Sequence, residues 1–328
     1  MKNLTITLLL SLLCLFAGSG CGGSSVGDTF DAPSIGSDNA VAHQSWGSYR
    51  LYRYESGQWF TVVDLGQEIE APPVLGERPV LLIHGLGSNI RGEKFKALAQ
   101  NLVANGATQV VGFEYDTLDP VSTNSTYLNL AIQFLTRNEQ GVRWRVVGHS
   151  LGALVARSSF EASNGSLDFA ASGNLVSFAA GPHLGSEVAQ KLQESDPDLV
   201  EQALKEVVLN GELDFRNADG SRVDVTGEEP VFAQLVPNSV FLQNLNFEAA
   251  NRHAQFSYRT VAGTERGDSF EAFNRVLGVF ADDGLVNVES ANAQVIGPVQ
   301  TDTVPFNHSQ IVEAQASILV ILDQLDLI

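Results

Sequence analysis

Ser150 stands between two glycines in the stretch "RVVGHSLGALVARSSF", residues 145–160. A serine hydroxyl is a weak nucleophile until a neighbouring base takes its proton. Gly148-His149-Ser150-Leu151-Gly152 follows an apolar strand-like run and precedes a helix-forming run, "ALVA". That context describes a nucleophile elbow, a turn tight enough to force its serine into a strained backbone conformation. Glycines two residues on either side remove the Cβ atoms that would clash. The hydroxyl then stands at the carboxyl edge of a sheet, where open α/β sheets bind ligands. The helix behind it offers unpaired N–H groups and a positive dipole end.

The serine needs a base, and the base needs an acid to orient it. After such an elbow the chain order is serine, acid, histidine. His43 and His84 precede the serine, and His149 lies inside the elbow, pointing away from its neighbour. His183 and His253 come before or within the point where strands resume. His308, in "TVPFNHSQIV", follows the last expected strand and precedes the last helix, which is the required slot. The acid belongs after the preceding strand. "VFADDGLVNVES" offers Asp282 and Asp283, 26 and 25 residues before His308, on a turn leading into apolar sequence. Asp283 is the first choice and Asp282 the second. Asp268, in the more polar "ERGDSF", is the third.

Acyl transfer also needs donors where negative charge develops. The N–H of Leu151, directly after the nucleophile, is one. The loop after the first buried parallel strand supplies the other, and "LLIHGLGSN" is that loop. Gly85 and Gly87 let the backbone approach a reacting carbonyl, with the N–H of Leu86 as second donor. His84 braces the loop by hydrogen bonds and is not a base.

These residues must be held by a sheet. "PVLLIHG" (79–85) is a continuous apolar run, as expected of a strand buried on both faces. "GEKFKALAQNLVANG" has helical periodicity and stops at Gly106. "TQVVGFEYD" and "TYLNLAIQFLTRN", "RWRVVGH" and "LGALVARSSFEAS" repeat the strand–helix pairing, and "NLVSFAAGP" is the next strand. This alternation predicts an α/β fold, a mostly parallel central sheet with helices on both faces. Ahead of it, "YRLYRY" and "QWFTVVDLG" predict a hairpin around Glu55-Ser56-Gly57. The rhythm breaks at residues 186–252, an insertion that packs as a helical subdomain and caps the site. "FSYRTVAGT" and "NAQVIGPV" resume the strands, and "SQIVEAQASILVILDQL" closes the chain as a helix.

The 328 residues hold 19 Lys and Arg against 38 Asp and Glu, a formal net charge of −19. That surface repels nucleic acid at long range. At 44% hydrophobic and 17% charged, the composition is globular. Residues 1–20 read as a signal peptide: Lys2, then the apolar "LTITLLLSLLCLFA", then "AGSGC" ending at Cys21. The pattern is similar to a bacterial lipoprotein signal, with Cys21 as the lipidated residue and the membrane as its partner. Free secretion after ordinary cleavage is the alternative. Residues 21–45 are rich in Gly, Ser, Asp and Ala and predict a flexible tether to a catalytic domain at 46–328. The two cysteines, Cys14 and Cys21, fall in the leader and at its end. The mature domain therefore lacks a disulfide, a thiol nucleophile and a cysteine metal site.

Taken together, "LLIHGLGSN", "VVGHSLGALVAR", "GPHLGS", "SVFLQNLN" and "DDGLVNVESA…NHSQI" resemble the α/β-hydrolase lipases, over about residues 78–325. The nearest groups are bacterial triacylglycerol lipases and related serine esterases with a Pro-His-x-Gly-Ser motif. The resemblance implies hydrolysis of carboxylic esters, lipids among them, by Ser150, His308 and Asp283, with Leu86 and Leu151 at the oxyanion and no cofactor. Calcium-binding relatives carry an Asp two residues after the histidine. Gln310 stands there, so no metal is expected. The same site serves acyltransferases and thioesterases. A hydrolase-fold binding protein without activity is the remaining alternative, against which the complete set of site residues argues.

Overall fold

The computed structural model describes residues 49–162, 173–216, 223, 225–249, 256–292 and 299–328. The expected leader, the tether with Cys21, and most of "NAQVIGPV" lie outside the described residues. So do His43 and His253.

The chain opens with the expected hairpin, β1 (Arg50–Glu55) and β2 (Gln58–Asp64). Ser56 and Gly57 both adopt positive φ, 51° and 82°. That is the backbone of a primed two-residue turn, whose twist matches the strands it joins. A two-residue strand, β3 (Gln67–Glu68), extends it. Then strands and helices alternate: β4 (Pro79–Ile83), α1 (Glu93–Ala104), β5 (Gln109–Glu114), α2 (Val121–Thr136), β6 (Arg145–His149), α3 (Leu151–Ala162) and β7 (Asn174–Ala179). The insertion follows as α4 (Glu187–Glu194), α5 (Pro197–Leu209), α6 (Pro230–Leu235) and α7 (Val240–Ala249). The fold resumes with β8 (Phe256–Gly263), α8 (Gly267–Leu277), α9 (Val288–Ala291), β9 (Gln300–Val304) and α10 (Gln315–Gln324).

One sheet of nine strands runs in the order β3-β2-β1-β5-β4-β6-β7-β8-β9. From β5 to β9 all pairings are parallel, and β1 joins β5 antiparallel. Every residue of β4 is buried. Leu81 and Ile83 enter one apolar layer with α2 and α3, while Val80 and Leu82 enter the other with α1 and α10. That alternation explains why a two-face strand is an unbroken apolar run.

Three departures from the sequence expectations have local causes. The last described strand, "QTDTV", lies where no strand was read, while most of "NAQVIGPV" falls outside the described residues. It lies at the sheet edge with three of its five residues exposed, so it carries no apolar run. The closing helix breaks at Glu313–Ala314 into a 3₁₀ turn (Gln310–Val312) and α10. Helix α8 lies where no helix was read, although Phe270, Phe273 and Leu277 form a buried stripe at helical spacing.

Candidate active site

Ser150 is the residue between β6 and α3, with φ of +54°. Only a few per cent of non-glycine residues take such a conformation, at a cost of about 1–2 kcal/mol. The surroundings enforce it: Ser150 N–H donates to Ala179 O at 2.8 Å, and Ala153 N–H donates to Ser150 O at 3.0 Å. Gly148 is the second-last residue of β6 and Gly152 is the second of α3. A Cβ on Gly152 would collide with the carbonyl oxygens of Ile83 and His84. A Cβ on Gly85 would sit 2.6 Å from that of Ser150, so the loop after β4 can press on the serine only as glycine.

His308 precedes the 3₁₀ turn and is 2% exposed. Its Nδ1 lies 2.8 Å from Oδ2 of Asp283, itself 1% exposed. Oδ1 of Asp283 accepts the N–H groups of Leu285 and Val286 at 2.9 and 2.8 Å. These bonds hold the carboxylate, and the N–H of His308 donates to the Asp283 carbonyl at 2.9 Å. With Nδ1 taken, Nε2 of His308 is buried and without a protein partner. Asp282 does something else: its Oδ2 accepts the N–H of Val288 at 2.8 Å, at the start of α9. Asp268 is exposed in the first turn of α8. Among the three candidate acids, the structure brings Asp283 to His308. Gln310 is bonded to Asn307 through both its side chain and its N–H, at 3.3 and 3.0 Å.

The loop after β4 is fixed atom by atom. His84 is fully buried, stacks on Tyr115 at 4.5 Å, and accepts the Tyr115 N–H on Nε2 at 3.4 Å. Its Nδ1 therefore carries the proton and donates to Gly85 O at 3.0 Å. Burial lowers the pKa of this imidazole, which keeps it neutral. A trans peptide points its C=O and N–H in opposite directions. By holding the Gly85 carbonyl, His84 aims the Leu86 N–H the other way. Gly87 N–H donates to Thr117 Oγ1 at 3.2 Å, and Gly87 O accepts the Asp214 N–H at 2.6 Å. That last bond comes from the insertion. Ser309, next to His308, donates from its hydroxyl to Glu212 O at 3.4 Å, and Lys94 pairs with the Glu212 carboxylate at 3.5 Å. Residues 212–215 thus form a strap between the two loops that flank Ser150.

Under the strap is a narrow, partly open apolar cleft. Leu86 and Ser150 form its floor. Val188 and Leu192 come from α4, Leu204 from α5, Leu213 and Phe215 from the strap, and Phe273 from α8. Ser150 and Ser186 are its polar lining residues, and the Ser186 hydroxyl is spent on Leu285 O at 2.6 Å. Leu199 of α5 is half-buried and does not line the cleft. Leu204 belongs to the same helix, and a spacing of five residues puts Leu199 on a different face from it.

Behind the elbow lies a buried charge. Arg157 on α3 is fully buried and binds Glu161 through two hydrogen bonds, at 3.0 and 3.2 Å. It also reaches Asn246 on α7 at 3.0 Å and Nδ1 of His183 at 3.4 Å. Asn246 returns a bond to the His183 carbonyl at 2.9 Å. This network ties α3 to the "GPHLGS" loop and to the insertion. Sequence reading missed Arg157, whose signal was a charge on the apolar face of a helix, and Phe273, whose signal was the stripe of α8.

A family described as a domain of unknown function, DUF7379, matches residues 47–205, just under half of the chain. That match includes the elbow and ends before Asp283 and His308. No curated protein matches the chain. Among solved structures, the chain is similar to the mature form of the lipase BlEst2 of Bacillus licheniformis, with a TM-score of 0.54 at 17% identity, over 83% of this chain and 99% of that one. It is also similar to the phospholipase PlaB of Legionella pneumophila, solved with thio-NAD, with a TM-score of 0.53 at 15% identity. That match covers 75% of this chain and spans 60% of PlaB. At such identities the likeness is one of fold, and the chain has the α/β-hydrolase fold of these lipases.

Proposed function

We propose that this protein hydrolyses carboxylic esters whose acid part is apolar, through an acyl-enzyme on Ser150. The observation that carries this reading is the buried His308–Asp283 pair, bonded through the His308 carbonyl to the residue before a strained serine that lines an apolar cleft. His308 Nε2 takes the proton of the Ser150 hydroxyl as its oxygen attacks the ester carbonyl. Asp283 holds the Nδ1–H and stabilises the imidazolium that forms. The N–H groups of Leu86 and Leu151 receive the oxyanion of the tetrahedral intermediate. Collapse breaks the ester C–O bond, and the leaving alcohol takes the proton from His308. Water, deprotonated by the same Nε2, then attacks the acyl-enzyme and releases the acid and Ser150.

The cleft supports an apolar acyl group, at roughly 25 cal/mol for each Å² buried. The test is a fluorophosphonate label on Ser150, together with a hydrolysis profile over p-nitrophenyl esters from acetate to long chains. Absence of both labelling and turnover overturns the reading. Transfer to an added alcohol in preference to water would place the protein among acyltransferases.

We further propose that the domain works outside the cytoplasm, anchored by lipid on Cys21. The support is the order of Lys2, an apolar run and small residues before that cysteine.

A further inference from the structure

His149 directly precedes Ser150, yet the proposed proton transfer makes no use of its ring. Its Nε2 lies 2.9 Å from the carbonyl oxygen of His308. A carbonyl oxygen only accepts, so Nε2 carries the proton and donates it. Burial, and then the adjacent His308, push the His149 imidazole well below the usual histidine pKa, which keeps it neutral with that one proton. The two rings lie 5.0 Å apart, and Phe95 packs edge-on against His149 at 6.2 Å.

His308 is therefore gripped at three points. Asp283 takes two of them, accepting the backbone N–H on its carbonyl and Nδ1–H on its carboxylate. Both of these bonds tie His308 to the acid loop and neither refers it to the serine. The third grip, on the His308 carbonyl, comes from the residue covalently joined to Ser150. We infer that His149 is a positioning residue, whose Nε2–H sets the place of the His308 imidazole relative to the nucleophile. The His308 loop and the elbow lie far apart in the chain, and this bond joins them directly.

Without the donor, the His308 carbonyl would be buried and unpaired, and the loop would shift to find another. A shift of about 1 Å in a proton-transferring group costs on the order of 10²-fold in rate. Substrate binding in the apolar cleft would be untouched, because neither His149 nor His308 lines it. The signature is thus a loss in kcat with KM held.

The inference rests on the hydrolase reading, so the experiment separates the two. His149→Leu removes the donor and keeps apolar bulk. His149→Gln places an amide N–H near the position of Nε2. With a short p-nitrophenyl ester, His149→Leu is expected to lower kcat about 10²-fold at near-constant KM, and His149→Gln to recover about tenfold of that. Wild-type kcat in His149→Leu, or equal loss in both variants, overturns the inference. If His149→Leu does not fold, His149→Asn, too short to reach the carbonyl, replaces it against His149→Gln. An inert wild type would sink the hydrolase reading alone. In that case the downfield proton resonance of the His308–Asp283 bond decides. The inference stands if the resonance moves or vanishes in His149→Leu and returns in His149→Gln, and it falls if His149→Leu leaves it unchanged.

Discussion

One carboxylate oxygen of Asp283 meets Nδ1 of His308 at 2.8 Å, while the other takes the N–H groups of Leu285 and Val286. The carboxylate has no freedom left to rotate. Asp283→Asn can satisfy the two backbone donors with its oxygen only by presenting an NH₂ to His308, which selects the wrong tautomer. The expected loss is about 10⁴-fold in kcat. Asp282→Asn keeps an acceptor for Val288 N–H and should stay within about tenfold of wild type. Steady-state kinetics on both variants check this, and the reverse ranking would assign the role to Asp282.

Ser150→Ala should lose on the order of 10⁴-fold or more in turnover while remaining folded. Ser150→Gly should be equally inactive but more stable than Ser150→Ala, by about 1 kcal/mol, because glycine adopts a φ of +54° without strain. Thermal melts of the two inactive variants give the comparison. Equal melting temperatures would mean that the elbow stores no strain at this residue.

The cleft predicts a preference for medium or long acyl chains over acetate. Leu204→Asn or Leu192→Asn should lower kcat/KM for long esters more than for acetate, since both side chains line the cleft. Leu199→Asn should leave the ratio unchanged. A uniform loss across chain lengths would make the stripe a packing surface.

Arg157→Met should destabilise the protein by about 3–5 kcal/mol, because it leaves the Glu161 carboxylate buried with its main partner gone. Adding Glu161→Leu should recover part of that loss. Urea unfolding of the single and double variants measures it, and strict additivity of losses would show that the pair is not coupled.

Metabolic labelling with a palmitate analogue should mark the wild type and not Cys21→Ser. Two or three buried acyl chains, at about 0.8 kcal/mol for each CH₂, would hold the domain at a membrane. Equal release of both proteins into the medium would indicate simple secretion.

The elbow and the loop after β4 were legible because each had a fixed place in a strongly patterned frame. β4 and β6 are unbroken apolar runs, and a serine after one and a glycine-rich loop after the other follow from the strand ends alone. Asp283 was harder. Its neighbour is chemically identical, and the choice depends on which side chain faces the turn and which faces α9, a matter of backbone direction that no pattern of types records. β9 was missed because an exposed edge strand owes its existence to one neighbour's hydrogen bonds and not to side-chain burial. The bond from His149 to His308 was invisible because its acceptor is a backbone carbonyl, which leaves no trace in residue identity.

The bond from Asp214 N–H to Gly87 O joins the insertion to the oxyanion loop through main-chain atoms alone. Any residue but proline can make it. The insertion is thus free to exchange its cleft-facing side chains over generations without loosening the loop beneath it. A scaffold of this kind can acquire a new diet by drift in α4 and α5 while the machinery around Ser150 stays in register.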